Sequence, residues 1–366
     1  MAINTTVTAV SDVKIGIKGE TTFGTALDAS SNDSTAYRTL PLVTATKPTF
    51  NITRESRLLS GRGNVKNAAD TILERRNGTI TTPFEFIATP ELMLQHLAMV
   101  TNTYTADGSN AYTVEIDGSN NSDSIGQTIS GGIPHTVNLA YTTQVASSGI
   151  TIPGNTVSDL TIAGDYGTNG GNLTMSGNYF SGFAGAASVG ATGAYLEQNY
   201  DGTWVYPDIG SFFNIGNLST KQLDCDSTSN TQDMILKSFS LNISNGVNRI
   251  GSNTDGNAEA YAFPEYVATG EITLKYDTEF GLAAGINVVQ SFLDNNIVSL
   301  LLKFGDGTVS SVGEMNILAE CQITGDPSTD MSEGGVYWTL PFECVQNSST
   351  EALKIQLFSD QAISAM

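Results

Sequence analysis

Asn-Gly at 77, 169 and 245 and Asp-Gly at 107, 117, 201, 255 and 306 punctuate this sequence from end to end. Both dipeptides favour the positive-φ backbone of a tight hairpin turn, so they divide the chain into short antiparallel strands. Between them run alternating stretches such as SFSLNIS (238–244), GEITLKYD (270–277) and YTVEIDG (112–118). A period of two sends one set of side chains to a core and the other to solvent. The 37 glycines, with abundant Thr, Ser and Asn, favour turns and strands over helices. The expected fold class is mainly β. With 366 residues, 40% of them hydrophobic, the chain can build two ordinary domains around a real core.

Two helices interrupt this pattern. TPELMLQHLAMV offers Thr89 as N-cap, Pro90 at the first helical position and Glu91 beside the positive end of the helix dipole. LAAGINVVQSFLDNN (282–296) places Ile286, Val289, Phe292 and Leu293 on one face, which is expected to meet the core. His96, on the first helix, reads as a surface or hydrogen-bond-satisfied residue rather than a catalyst.

The segments also repeat. PTFNI (48–52), a long loop and GTITTPFEF (78–86) precede the first helix; FSLNI (239–243), a long loop and GEITLKYDTEF (270–280) precede the second. Beyond the helices, VNL and ITGD-like segments recur: Ile162-x-Gly164-Asp165 matches Ile323-x-Gly325-Asp326, and Gly170-Gly171 matches Gly334-Gly335. Such ordered matches predict a duplication. The expected organisation is an N-terminal arm with the first strands (1–42), then a first half (43–180) carrying a polar insertion at about 101–134. A connector (181–232) follows, and then a second half (233–366). The connector carries Tyr195, Tyr200, Trp204, Tyr206, Phe212 and Phe213, and aromatics at that density are expected to pack on the body.

Charge is distributed unevenly. The net charge is −21, yet residues 1–76 hold ten basic and seven acidic groups. Six of the sixteen Lys and Arg (Arg54, Arg57, Arg62, Lys66, Arg75 and Arg76) crowd into residues 54–76, and none follows until Lys221. An acidic body repels phosphate and argues against tight nucleic-acid binding. The basic segment is then either a private phosphate-binding loop or a tab that docks on an acidic neighbour, and charge complementarity favours the tab.

Chemistry-bearing motifs are missing. GRGNVKN lacks P-loop spacing, and there is no GxSxG elbow or HExxH. DGSNNSD (117–123) lacks the EF-hand positions. With two histidines and three well-separated cysteines, a zinc site is not expected, and Cys225, Cys321 and Cys344 read as free buried thiols. No enzyme activity and no cofactor are expected. The opening stretch MAINTTVTAVSDVKIG shows neither a basic nor a continuous apolar region, so no secretory signal is expected, nor a membrane span.

The order of motifs resembles the tail tube (major tail) proteins of long-tailed bacteriophages, in the branch with two tube-type halves per chain. The motifs carrying the resemblance are IKGETTFGTA, YRTLPLVTATKPTFNITRES, NGTITTPFEF, FSLNISNGVNR, TGEITLKYD and VYWTLPFECVQNSSTEALKIQLF. The resemblance implies two tandem β-sandwich halves, each with one flanking α-helix, contributing strands to a β-barrel shared around a ring. Rings would stack into a hollow virion tail, assembled in the host cytoplasm, that houses the tape-measure protein and conducts genomic DNA without binding it specifically. Other partners would be the tail terminator and the baseplate or distal tail proteins. Two halves per chain favour a trimeric ring of approximate sixfold symmetry over a hexamer. On this reading the 54–76 loop bridges rings, and Glu271, Asp277 and Glu279 are candidates for an acidic lumen. The alternatives are an extracellular β-sandwich binding or surface-layer protein and a β-rich glycan hydrolase.

Overall fold

A computed structural model describes residues 13–20, 23–26, 37–44, 46–56, 71–101, 103–106, 111–116, 136–143, 148–187, 194–197, 212–224, 232–275, 288–305, 309–331, 335–347 and 350–359. The described chain opens with β1 (Val13–Gly19) and β2 (Arg38–Thr39), then the hairpin β3 (Thr49–Ser56) and β4 (Thr71–Ile87), then helix α1 (Pro90–Val100). β5 (Thr103–Ala106), β6 (Ala111–Ile116), β7 (Val137–Thr143), β8 (Ser148–Asp165) and β9 (Thr174–Ser181) follow. β10 (Ala186–Ala187) and β11 (Ala194–Glu197) lead to β12 (Leu218–Asp224), β13 (Gln232–Asp233) and β14 (Leu236–Ser244). A small separate hairpin, β15 (Asn248–Ile250) and β16 (Ala260–Ala262), precedes β17 (Val267–Lys275) and helix α2 (Val288–Asp294). The last strands are β18 (Ile297–Phe304), β19 (Met315–Ile323), β20 (Ser328–Asp330), β21 (Tyr337–Cys344) and β22 (Leu353–Phe358).

The architecture is mainly β, as composition and turn spacing predict. One run of antiparallel neighbours crosses the molecule in the order β3–β4–β9–β8–β14–β17–β21–β20. Pairings recur along the chain. β1 pairs with β2 and β7, β3 with β4, β4 with β9, and β8 with β7, β9 and β11. Later, β12 pairs with β13 and β18, β14 with β17, β17 with β21, and β19 with β18, β21 and β22. The two series meet at β8–β14, where Asp165 to Asp159 face Ser238 to Ser244.

β8 makes this join possible because its 18 residues serve two ladders. Its first part pairs with β7 and β11, its second with β9 and β14. The transition falls at Gly154, whose φ of 63° is costly for any side-chain-bearing residue. A Cβ there would also strike the Phe183 ring.

One hydrophobic cluster extends beneath both series, from Ile15 and Phe84 to Trp338 and Ile355. Helix α1 sits inside it, with all eleven residues buried. Thr89 caps it as the sequence predicts, accepting from the Leu92 amide at 3.4 Å. Two of the polar residues on this buried helix, Glu91 and His96, meet partners that offset their burial. Arg38 Nε lies 2.6 Å from Glu91 Oε1. His96 Nδ1 donates to the Leu92 carbonyl at 2.6 Å, so Nε2 is left to accept from the Tyr179 hydroxyl. That arrangement fixes a neutral imidazole among Phe84, Phe86 and Tyr179.

Several local expectations are corrected. Asn77-Gly78 makes no turn; it lies within β4, where Arg75 to Gly78 stand opposite Ile52 alone and the register shifts. Asn169-Gly170 does turn, with φ of 52° and 65°. The Asp-Gly pairs at 107, 117, 201 and 306 lie outside the described residues. In α2 the core-facing residues are Val288 and Ser291, with Val289 and Phe292 packed at the core margin; Leu293 is 68% exposed rather than inward, and Ile286 lies outside the described residues. The stretch read as an insertion holds β5 and β6. β6 pairs along its length with β22, and Lys354 Nζ meets Glu115 Oε1 at 2.7 Å across that ladder.

Burial pulls the His96 pKa down to about 4 from an ordinary value of 6.5. The unfolded chain therefore takes up a proton that the folded chain refuses. The stability this site contributes is complete above about pH 6.5 and declines by up to about 1.4 kcal/mol per pH unit as pH falls toward 4. The gap in denaturation midpoint between wild type and His96→Gln should narrow from pH 7 to pH 5. A constant gap would contradict the neutral buried imidazole.

Candidate functional site

Alternation along the central run gives it one apolar and one polar face. Residues such as Ile80, Ile162, Phe239, Ile272 and Leu340 point to the core. The opposite face is rich in small polar side chains: Thr79 and Thr81 on β4, Ser176 and Asn178 on β9, Thr161 on β8, Ser240 and Asn242 on β14, Thr269 on β17 and Thr339 on β21, with Phe180, Tyr337 and Pro341 among the larger residues beside them. Neighbouring strands are tied across it by side chains. Asn242 Nδ2 donates to Thr161 Oγ1 at 2.8 Å, and Asn178 Nδ2 donates to both oxygens of Asp159 at 3.1 and 3.0 Å.

The charge of this face is acidic. By strand alternation it carries Glu85, Asp159, Asp165, Glu271 and Glu343, against Lys237 and Lys275. Glu271, a sequence candidate, is exposed on it, opposite Ser240 and Pro341. It also lines a cavity of about 220 Å³ at the β8–β14 join, with Asp165, Thr168, Asn169 and Ser240. Asp277 and Glu279 lie outside the described residues. Among the described residues no group of three or more His, Cys, Asp and Glu side chains is placed to hold a metal.

The basic segment is only partly visible. Arg54 lies on β3 opposite Leu73, and Arg75 and Arg76 lie on β4 in the irregular stretch of that ladder. Arg57, Arg62 and Lys66 are outside the described residues. The second long connection, between β14 and β17, is described, and it packs on its own chain. Arg249 Nη1 donates to the Gly78 carbonyl at 2.6 Å and Nη2 to those of Gly251 and Gly256. Tyr261 joins Phe23, Phe180 and Phe183 in a small aromatic cluster and donates its hydroxyl to the Gly154 carbonyl. Of the connector aromatics, Phe213 is in the core and Phe212 half-buried; Tyr195 lies on β11, and Tyr200, Trp204 and Tyr206 are outside the described residues.

Sequence reading passed over Glu20, which no motif marks. Its carboxylate accepts from Thr136 Oγ1 at 2.6 Å, Asn138 Nδ2 at 3.1 Å, and the amides of Gly24 and Gly154. Burial pushes the carboxyl up to about 7, against the pull of these donors. It fastens the bend of β8 to β1 and β7, a structural task for an acid. Cys321 and Cys344 stand opposite each other across β19 and β21 as buried free thiols, and burial raises the Cys321 pKa. Cys225 is outside the described residues.

No protein-family model matches this chain, and no curated protein sequence is significantly similar to it.

Replacing Glu20 by Gln turns one acceptor oxygen into a donor amide facing other donors. The expected cost is about 1–3 kcal/mol at neutral pH, the penalty for an unmatched buried donor. Equilibrium denaturation reads it; an unchanged midpoint would show that the bend of β8 does not need the carboxylate.

Proposed function

We propose that this chain is a structural subunit that closes into rings and stacks as a hollow tube, serving as the tail tube protein of a long-tailed bacteriophage. The observation that carries this reading is the recurrence of one set of strand pairings, joined edge to edge at β8–β14. It supports two tandem tube-type halves, with β1–β2 belonging to the first and β12–β13 to the second, so that the second half begins before Leu218 rather than at 233. A pairing that joins the halves within a chain is repeatable between chains, and a closed ring of strands leaves no exposed edge. Three chains then supply six similar units, with true threefold and approximate sixfold symmetry.

The polar face supplies what a conduit wall needs. Thr, Ser and Asn present short side chains with little to snag a passing polymer. The carboxylate excess repels phosphate over a Debye length of about 8 Å at physiological salt, so duplex DNA slides past instead of adhering. The tape-measure protein occupies the channel before DNA does, and terminator and distal proteins cap the two ends. The basic segment belongs on this reading at the contact between rings, where it meets an acidic neighbour.

Negative-stain microscopy of the purified protein should show rings or tubes, and native mass spectrometry of one ring should weigh three chains. A particle of a single chain that binds or cleaves glycans would contradict the proposal. Changing Arg57, Arg62 and Lys66 together to Glu should leave rings intact but stop them stacking, because a weak ion pair of about 0–1 kcal/mol is multiplied around the ring. Normal tubes from the triple variant at physiological salt would remove the segment from the ring contact.

A further inference from the structure

We propose that β3 at one end of the central run and the β20 edge at the other form a head-to-tail interface between successive copies of this chain. In it Phe50 of one copy closes over Met331 and Val336 of the next. The inference rests on the assembling role proposed above, and adds which edges meet, in which sense, and through which side chains.

Among the described residues β3 is bonded only to β4, and β20 only to β21. The strand that corresponds to β3 is β14, and the two are treated differently. Phe50 stands opposite Ile80 in the GTIT segment, as Phe239 stands opposite Ile272 in the GEIT segment. Both phenylalanines therefore point to the core side of the sheet. Phe239 is 5% exposed, because β8 runs alongside and sets Gly164 opposite it. Phe50 is 43% exposed, with no strand on that side. Burial alternates along β14, whereas Thr49, Phe50 and Asn51 are exposed in succession. The edge is finished like an interior strand and lacks its neighbour.

The far end shows the complementary defect. Thr329 pairs with Trp338 and Asp330 with Tyr337. One step further, that register puts Met331 opposite Val336, on the core side with Trp338. Both are exposed, Met331 at 79% and Val336 at 39%. Large apolar side chains left uncovered at an open sheet edge mark an interaction surface. Of the other strands bonded on one side only, β2, β5, β10, β13 and β16 carry no exposed large apolar residue among those described; β15 carries Ile250, 49% exposed, but belongs to the separate two-stranded hairpin and not to an edge of the central run. One patch fitting a different patch on an identical chain gives a heterologous contact, which either closes as a ring or runs on without end. The β8–β14 ladder supplies the antiparallel sense of the join.

The test uses Phe50→Glu and Met331→Glu, each placing a charge where the partner edge must lie dry. Val336→Glu repeats the second arm, and Leu293→Glu, on an exposed helical residue away from both edges, is the control. Circular dichroism and melting should show each variant folded as wild type, since all four positions are exposed. Each edge variant alone should run as a single chain by native mass spectrometry, with self-association weakened by more than about 100-fold; the control should form wild-type rings. Mixed one to one, Phe50→Glu retains a sound β20 edge and Met331→Glu a sound β3 edge, so the mixture should give heterodimers and nothing larger. Edge variants that assemble normally, or a mixture that yields no heterodimer, would overturn the interface. If wild type and variants behave as expected but the ring never stacks into a tube, the interface stands and the tail-tube reading falls. A wild type that stays a single chain sinks both.

Discussion

The rest of the structure depends on the antiparallel ladder between β8 and β14. Without it the strands up to β11 and those from β12 onward would be two sheets linked mainly by β6–β22 and the Tyr261 cluster. With it they form one run of eight strands and share one core. The ladder needs β8 to leave one sheet and enter another partway along its length. Three groups manage that change of course: Gly154 adopts the positive φ, Glu20 gathers the freed amides and side chains, and Tyr261 holds the Gly154 carbonyl. A bend that exposes backbone polar groups inside a protein has to be satisfied by specific partners, which is why an acid and a tyrosine from distant segments converge there.

A second constraint follows from the two faces of that run. The core side is filled by a helix buried all round, whose Glu91 and His96 meet partners within hydrogen-bonding distance. The other side is left open, small and acidic. Such a face has little to gain from further burial and repels other anionic surfaces. Uncovered apolar side chains lie at both edges of the run, Phe50 at one and Met331 and Val336 at the other, besides others elsewhere such as Ile235, Ile250 and Leu293. In the assembly proposed above, the chain extends sideways through its edges and keeps its polar face clear.

Much of this was legible from residues near one another. Thr89, Pro90 and Glu91 mark the start of α1, and alternation marks β6, β14 and β17, because capping and two-residue periodicity are local signals. The acidic, Thr-rich character of the candidate site was also visible in composition. The rest depended on distant partners. Asn77-Gly78 has the chemistry of a turn, yet β3 on one side and Arg249 on the Gly78 carbonyl hold it inside a strand. His96 reads as a surface or hydrogen-bond-satisfied residue, and the second alternative holds; its partner Tyr179, 83 positions away, is named by no local signal. The matched Ile-x-Gly-Asp segments occupy unlike settings, Ile162 within the continuous β8 and Ile323 at the end of β19, since similar words do not fix register. Nothing local announces that β8 will meet β14.

On the proposed assembly, the polar face of this run lines a channel while its edges join neighbouring chains. A cryo-EM map of the assembled particle tests it most directly. The map should show three chains per ring, with Asp165 and Glu271 facing the channel and α1 on the outer side of the sheet. A ring whose channel is lined by the α1 side, or one in which β3 and β20 remain unpaired, would contradict it.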